Sequence, residues 1–393
     1  MARKKEHNKF EIVYSPKFGF QHDIHYPKPS FESYENPNRC YIPWKYLREQ
    51  GYIPNEFNHN KKKGITNKKY QLALQKPPKL NRYDLKRVHT NNHIEKVKYF
   101  SKHGSGQIGY TVMATKDIWD ISLTSSGAVY KALEDVFLGK SQRSFSFNRP
   151  PGHHAVSGEA DGLCVFNNVA LAIEKLRDVH NFNGNIAIID IDAHFGDGIS
   201  KIYYEDPSVL YCSMHEYGFG GAEEGHFTQI GVESGLGTNV NFPIPFEAND
   251  SFFRLFCDYV KPFVERFQPE MIMVPVGFDG HWMDPLGNLK FTSQGYRDFY
   301  KWILDLADKL CDGKIVLNLE GGYSHYAISH LMEDLICSFT GTKHPKAFDG
   351  FIQDIYSRKN HTKSLNSLFL VEYNQAKSMQ KNNLLILDKL QRS

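Results

Sequence analysis

The chain has 393 residues, of which 41% are hydrophobic and 23% charged, with a formal net charge of +3. Those fractions belong to a globular chain and exclude a disordered, collagenous or coiled-coil one. No apolar run approaches the roughly 20 residues of a membrane span, and the basic opening MARKKEHNKF lacks the apolar stretch of a secretory signal, so a cytoplasmic location and no membrane contact are expected. Six cysteines (Cys40, Cys164, Cys212, Cys257, Cys311, Cys337) are scattered without a CxxC pair, which argues against a disulfide framework.

The first hundred residues hold 21 Lys and Arg against 9 Asp and Glu. Such a basic stretch can touch nucleic acid, but no stacking or groove-reading motif accompanies it. Residues 1–80 read as loops with short helices, and Lys61, Lys62, Lys63 and Gly64 as an exposed loop. From about residue 85 the text becomes regular. Short apolar runs at 144–148, 186–191, 209–214, 271–276 and 315–319 read as buried parallel strands. Helical periodicity occupies 167–179, 250–267 and 293–310, and 374–390 reads as an appended helix. The alternation predicts a three-layer α/β/α fold around a mostly parallel sheet. The predicted organisation is one catalytic domain over 1–345, its loop-rich basic part at 1–80, and a helical extension over 346–393.

Ligands of an open α/β sheet bind beyond the carboxyl ends of its strands, and four of these runs deliver polar residues there. RPPGHHA brings His153 and His154, DIDAHFGDG brings Asp190, Asp192, His194 and Asp197, GFD brings Asp279, and EGGY brings Tyr323. Asp192, His194 and Asp279 make a three-ligand set with room for water and substrate, suited to one catalytic zinc ion; ferrous iron fits the same donors. His153 and His154 suit general base and general acid roles, with Asp190 and Asp197 to fix their tautomers. Tyr323 on its local sequence reads as a core tyrosine, yet a phenol presented by a glycine turn can donate to an oxyanion.

At these residues the chain resembles the histone deacetylase superfamily, including the acetylpolyamine amidohydrolases. The resemblance is carried by RPPGHHA, DGLCVFNNVALA, IAIIDIDAHFGDG, DPSVLYCSMHE, GLGTNVNFPIP, PVGFDGHWMDPLG and LEGGY, and more weakly by ENPNRCYIPWKYLREQG. It implies an arginase/deacetylase-like fold with about eight strands, and zinc-assisted hydrolysis of a linear amide that releases acetate and an amine. It implies the same ligand, histidine and tyrosine roles. It adds a potassium site on Asp190, Asp192, His194, Ser213 and Met214, and substrate contacts at Gly162, Leu163, Leu286 and Gly322. Arg39 resembles the family's inner-channel arginine. Leu286 is an apolar gate that suits acyl-lysine on a protein or peptide better than an acetylpolyamine. Phe195, Leu163 and the 219–225 segment FGGAEEG depart from the family pattern, with Glu223 and Glu224 either drawing a cationic substrate or simply solvated.

Two rival readings remain. An arginase-like dimanganese site would need carboxylates where the chain has Gly196 and His281. A non-catalytic acyl-lysine binder would usually lack a ligand, a histidine or the tyrosine, and none is missing.

Overall fold

Strands β1 (Phe10–Val13), β2 (Ile65–Asn67), β3 (Leu72–Gln75), β4 (Ser105–Gly109), β5 (Val112–Thr115), β6 (Arg143–Ser146), β7 (Ile186–Asp190), β8 (Val209–Glu216), β9 (Asn239–Ile244), β10 (Met271–Val276) and β11 (Ile315–Leu319) carry the architecture. In the computed structural model the described residues are 10–20, 31–53, 65–67, 72–218, 224–350 and 361–390. The expected loop at Lys61–Gly64, and Glu223 with most of the 219–225 segment, lie outside them. Nine strands form one sheet in the order β2-β3-β1-β6-β11-β10-β7-β8-β9. Eight of them run parallel, and only β2 pairs antiparallel, with β3. β4 and β5 make a separate hairpin.

The helices are α1 (Asn38–Glu49), α2 (Arg82–Leu85), α3 (Asn91–His103), α4 (Ile118–Phe137), α5 (Asn168–His180), α6 (Asp197–Tyr203), α7 (Ser251–Phe267), α8 (Ser293–Leu310), α9 (His325–Thr340) and α10 (His361–Leu390). The five expected strands all form, within three residues at either end. They are buried from end to end except at Arg143, because helices cover both faces of a parallel sheet.

The described part of residues 1–80 goes beyond the expected loops and short helices. It supplies β1, which sits between β3 and β6 inside the sheet. Its sequence FEIV looks half exposed because of Glu11, yet Glu11 is only 3% exposed. Burial pushes its carboxyl up to about 8, with the nearby Asp135 adding to the shift. β9 also escaped the strand pattern, because NVNFPI contains Pro243. It is an edge strand, where a missing N–H is tolerated. The terminal helix begins at His361, earlier than 374. It packs on α7 through a Gln380 amide bond to the Tyr259 carbonyl (2.6 Å) and an Arg266–Asp388 pair (3.0 Å). Among the described residues no helix is long and apolar enough to cross a membrane.

Candidate active site

The carboxyl ends of β6, β7, β10 and β11 lie next to one another because those strands are neighbours in the order β6-β11-β10-β7. Asp192, His194 and Asp279 bring ligand atoms within 4.8 Å of one another. His194 Nδ1 is 3.2 Å from Asp192 Oδ1 and 3.0 Å from Asp279 Oδ2. Two donors about 2.0–2.1 Å from one tetrahedral ion lie roughly 3.3 Å apart, so these spacings fit a shared small dication. Backbone amides aim the carboxylates. Asp192 accepts from His194 N (2.9 Å) and Gly321 N (2.7 Å), and Asp279 from Ala193 N (3.0 Å). A Cβ at Gly277 or Gly321 would collide with both carboxylates.

The electrostatics favour a cation. Burial and the Asp192 charge push the Asp279 carboxyl up to about 7. Burial alone would lower the His194 pKa, but the Asp192 and Asp279 carboxylates hold it well above its ordinary value. A dication would take the place of that proton. A second convergence, His153, Cys164 and Glu320, is a poor competitor. Burial holds the Cys164 thiol protonated, and Glu320 is occupied by the amides of Gly152 (2.6 Å) and His153 (3.1 Å).

His153 and His154 stand 4.0 Å apart, ring centre to ring centre. His153 Nδ1 meets Asp190 Oδ2 at 3.3 Å and His154 Nδ1 meets Asp197 Oδ1 at 2.9 Å. These are the carboxylates the sequence paired with them. His153 Nε2 faces the ligand cluster, 3.8 Å from Asp192 Oδ1. Burial works against the His153 charge, but Asp192 and Asp190 raise its pKa to about 10. Burial and the neighbouring His153 lower that of His154. Environments that push two neighbouring groups apart separate acid from base roles. Tyr211, which sequence reasoning missed, donates to Asp190 Oδ2 at 3.0 Å.

Tyr323 is 8% exposed and follows Gly322, whose φ of +109° suits glycine. Burial keeps its phenol well above the ordinary value, with Arg39 pulling the other way. Arg39 is fully buried, 4.7 Å from the Tyr323 ring centre. It donates to the carbonyls of Gly322 (2.6 Å) and Glu320, and to Glu35 (3.2 Å). Glu35 also takes a two-pronged bond from buried Arg149 at 2.8 Å each. Neither Glu35 nor Arg149 was singled out in the sequence. A Cβ at Gly162 would strike the His154 ring, so Gly162 lies against that histidine, and Leu163 beside it is buried. Leu286 is half-buried beyond Asp279. Ser213 is the register partner of Asp190, with Met214 next in β8. Phe195 packs on His215, with ring centres 4.7 Å apart, and Glu224 pairs with Lys201 at 3.0 Å on the surface. A cleft of about 620 Å³ opens on the outer side of Tyr323, lined by Ile42, Tyr46, Met283, Pro285 and His325 among others.

A model of the histone deacetylase domain matches residues 33–339. The chain belongs to the histone deacetylase family. It is 34% identical over 260 residues to a histone deacetylase-like amidohydrolase of Pseudomonas aeruginosa, covering 65% of this chain and 67% of that one. It is 34% identical over 295 residues to a probable deacetylase of Archaeoglobus fulgidus, covering 74% and 76%. Among solved structures, the HD domain of HDA15 superposes with a TM-score of 0.76 at 24% identity, over 94% of this chain and 99% of that one. The fold of this family member is therefore that of a histone deacetylase domain, as the sequence implied. The arginase-like alternative finds no support: His281 turns to Asp349 (3.0 Å), and Gly196 offers no ligand.

Proposed function

We propose that this histone deacetylase-family hydrolase is a zinc-dependent deacetylase that removes an acetyl or related acyl group from lysine ε-amines of proteins or peptides. The observation that carries the reading is the meeting of two His–Asp pairs, a three-donor cluster and Tyr323 at one sheet edge. Asp192, His194 and Asp279 would hold the ion. When bound, zinc supplies Lewis acidity and lowers the pKa of water. One histidine of the His153–His154 pair takes the proton of the attacking water, and a protonated histidine returns one to the leaving amine. Asp190 and Asp197 keep the two rings oriented. Tyr323 donates its hydroxyl to the oxyanion. Arg39 and the glycine turn hold that phenol from behind. Potassium would sit on Asp190, Asp192, His194, Ser213 and Met214, a reading supported by the register of β7 with β8.

The acyl-lysine preference rests on the 279–287 loop. Its one carboxylate beyond Asp279 is Asp284, which is buried and engaged by four backbone N–H groups. It has nothing left for the distal ammonium of a polyamine, and Leu286 adds an apolar wall. The second reading, an acetylpolyamine amidohydrolase, keeps the chemistry and changes the gate.

The test compares acetate release from an acetyl-lysine peptide and from N-acetylputrescine by zinc-loaded enzyme. The peptide is the expected better substrate. Tyr323→Phe is expected to cut kcat about 10²–10³-fold while one zinc per chain is retained. Preference for the polyamine would overturn the gate argument. No acetate from either substrate, together with tight binding of the acetylated peptide, would make the chain an acyl-lysine binder.

A further inference from the structure

The loop from Asp279 to Gly287 is held by groups outside the proposed zinc, histidine and tyrosine machinery. His281 is fully buried. Its Nδ1 accepts the Met283 N–H at 3.2 Å, so its ring proton is on Nε2, which donates to Asp349 Oδ2 at 3.0 Å. The same Asp349 oxygen accepts the Ser293 N–H (2.9 Å) in the first turn of α8. The Phe348 ring stacks on His281, centres 5.4 Å apart, and on His330, 4.5 Å apart. The His281 carbonyl in turn accepts the Asp284 N–H at 2.8 Å.

Asp284 reaches across to the other strand end. Its Oδ1 accepts from Leu286 N (3.0 Å) and Gly287 N (3.4 Å). Its Oδ2 accepts from Tyr323 N (2.6 Å) and Ser324 N (3.1 Å). The segment before Tyr323 is a pair of glycines, which have little stiffness of their own. The turn is therefore clamped from outside: Arg39 takes its carbonyls and Asp284 takes the amides that follow. Asp284 holds firmly only as far as its own loop is held, and Asp349 ties that loop to α8.

We propose that His281 and Asp349, 68 positions apart in the sequence, are positioning residues for Tyr323, acting through Asp284. The inference rests on reading Tyr323 as the phenol that meets the oxyanion. A displacement of about 1 Å in such a donor can cost about 10²-fold in rate.

The experiment uses the full-length zinc-loaded chain and an acetyl-lysine peptide. Asp349→Ala and His281→Phe are each expected to lower kcat about 10- to 100-fold with unchanged zinc content. His281→Gln, which keeps a donor and an acceptor, is expected to recover most of the loss. In a Tyr323→Phe background the same substitutions are expected to change kcat less than about twofold, because coupled residues are not additive. An equal loss in both backgrounds overturns the proposal. Hydrogen exchange gives a readout without turnover. The amides of 286, 287, 323 and 324 are expected to lose protection in Asp349→Ala while β10 and β11 keep theirs. Unchanged protection there overturns the proposal even if the wild type releases no acetate, an outcome that would sink the deacetylase reading separately. Should Asp349→Ala fail to fold, the His281→Phe and His281→Gln pair decides by the same two readouts.

Discussion

Two buried charge clusters meet at the 321–322 glycine turn, and they differ in how their charge is settled. On one side, Asp192 accepts the Gly321 N–H beside Asp279 and His194. On the other, Arg39 donates to the Gly322 carbonyl and shares Glu35 with Arg149. The arginine cluster is largely complete in itself, with two guanidiniums, one carboxylate and carbonyls of Phe18, Glu35, Glu320 and Gly322 as acceptors. The aspartate cluster is not, because two carboxylates crowd one imidazole away from water. Buried charge is costly unless paired. The completed cluster is thus a structural device, and the incomplete one is where an ion is expected. Burial alone does not distinguish them, and neither does net charge; the guanidiniums end on a carboxylate and on carbonyls, whereas the Asp192 charge bears directly on the Asp279 carboxyl.

The largest expected effect tests the incomplete side. Chelating the ion from wild-type protein should abolish activity and lower stability by about 4 kcal/mol when free ion had stood a thousandfold above its Kd. Asp279→Asn should behave oppositely in the two states. In the metal-free chain it removes one of two crowded carboxylates while the side-chain oxygen still accepts from Ala193 N, so stability should hold or rise. With the ion present it removes a ligand, so stability and metal content should fall. Thermal unfolding with and without chelator reads both. A fall of the same size in both states would mean that the cluster is balanced without an ion.

The next effect tests the complete side. Glu35→Ala leaves two guanidiniums buried without their shared carboxylate. Breaking such a network by removing one partner should cost about 3 kcal/mol, read as a drop in the denaturant midpoint. Metal stoichiometry should stay the same, because Glu35 serves Arg39 and Arg149 and supplies none of the three ligand atoms. Loss of metal in this variant would join the two clusters into one unit and dissolve the contrast.

The same contrast explains what could be read from sequence. The incomplete cluster was legible because its parts follow strands: Asp192 and His194 after β7, Asp279 after β10, His153 and His154 after β6. A strand run ending in polar residues announces itself locally. The completed cluster was legible only in part: Arg149 follows β6 and Arg39 was read from the resemblance, but nothing local marks Glu35, 114 residues from Arg149, as the carboxylate they share. His281 and Asp349, outside both clusters, are 68 apart and each unremarkable in its own segment. β1 was hidden for a related reason. Glu11 gives FEIV the look of an exposed strand, and the groups that accompany its burial, Asp135, Lys131, Gln75 and Ser144, are brought close only by folding. The central sheet followed from composition and periodicity, whereas the N-terminal strands follow from partners far along the chain.

The smallest effect lies outside both clusters, where water settles charge. Asp120 meets Lys17 at 3.2 Å and also Lys79, but its side chain is 38% exposed and theirs 47% and 44%. Partial burial works against its charge, and the two lysines outweigh that and hold its carboxyl below the ordinary value. The stabilisation is therefore present above the unfolded carboxyl pKa of about 4 and is lost as the pH falls through the folded value. Exposed pairs contribute little, about 0–1 kcal/mol, and Asp120 also lies in the first turn of α4, where a carboxylate favours the helix dipole. Asp120→Asn should accordingly cost less than about 1 kcal/mol at neutral pH. The difference should vanish at about 1 M salt, where screening acts within roughly 3 Å. Glu35→Ala should keep nearly all of its cost under the same salt, since no counterion reaches a side chain that is 3% exposed. Equal salt sensitivity in the two variants would show that the arginine cluster is open to solvent, and its charge would then be settled by water as Asp120's is.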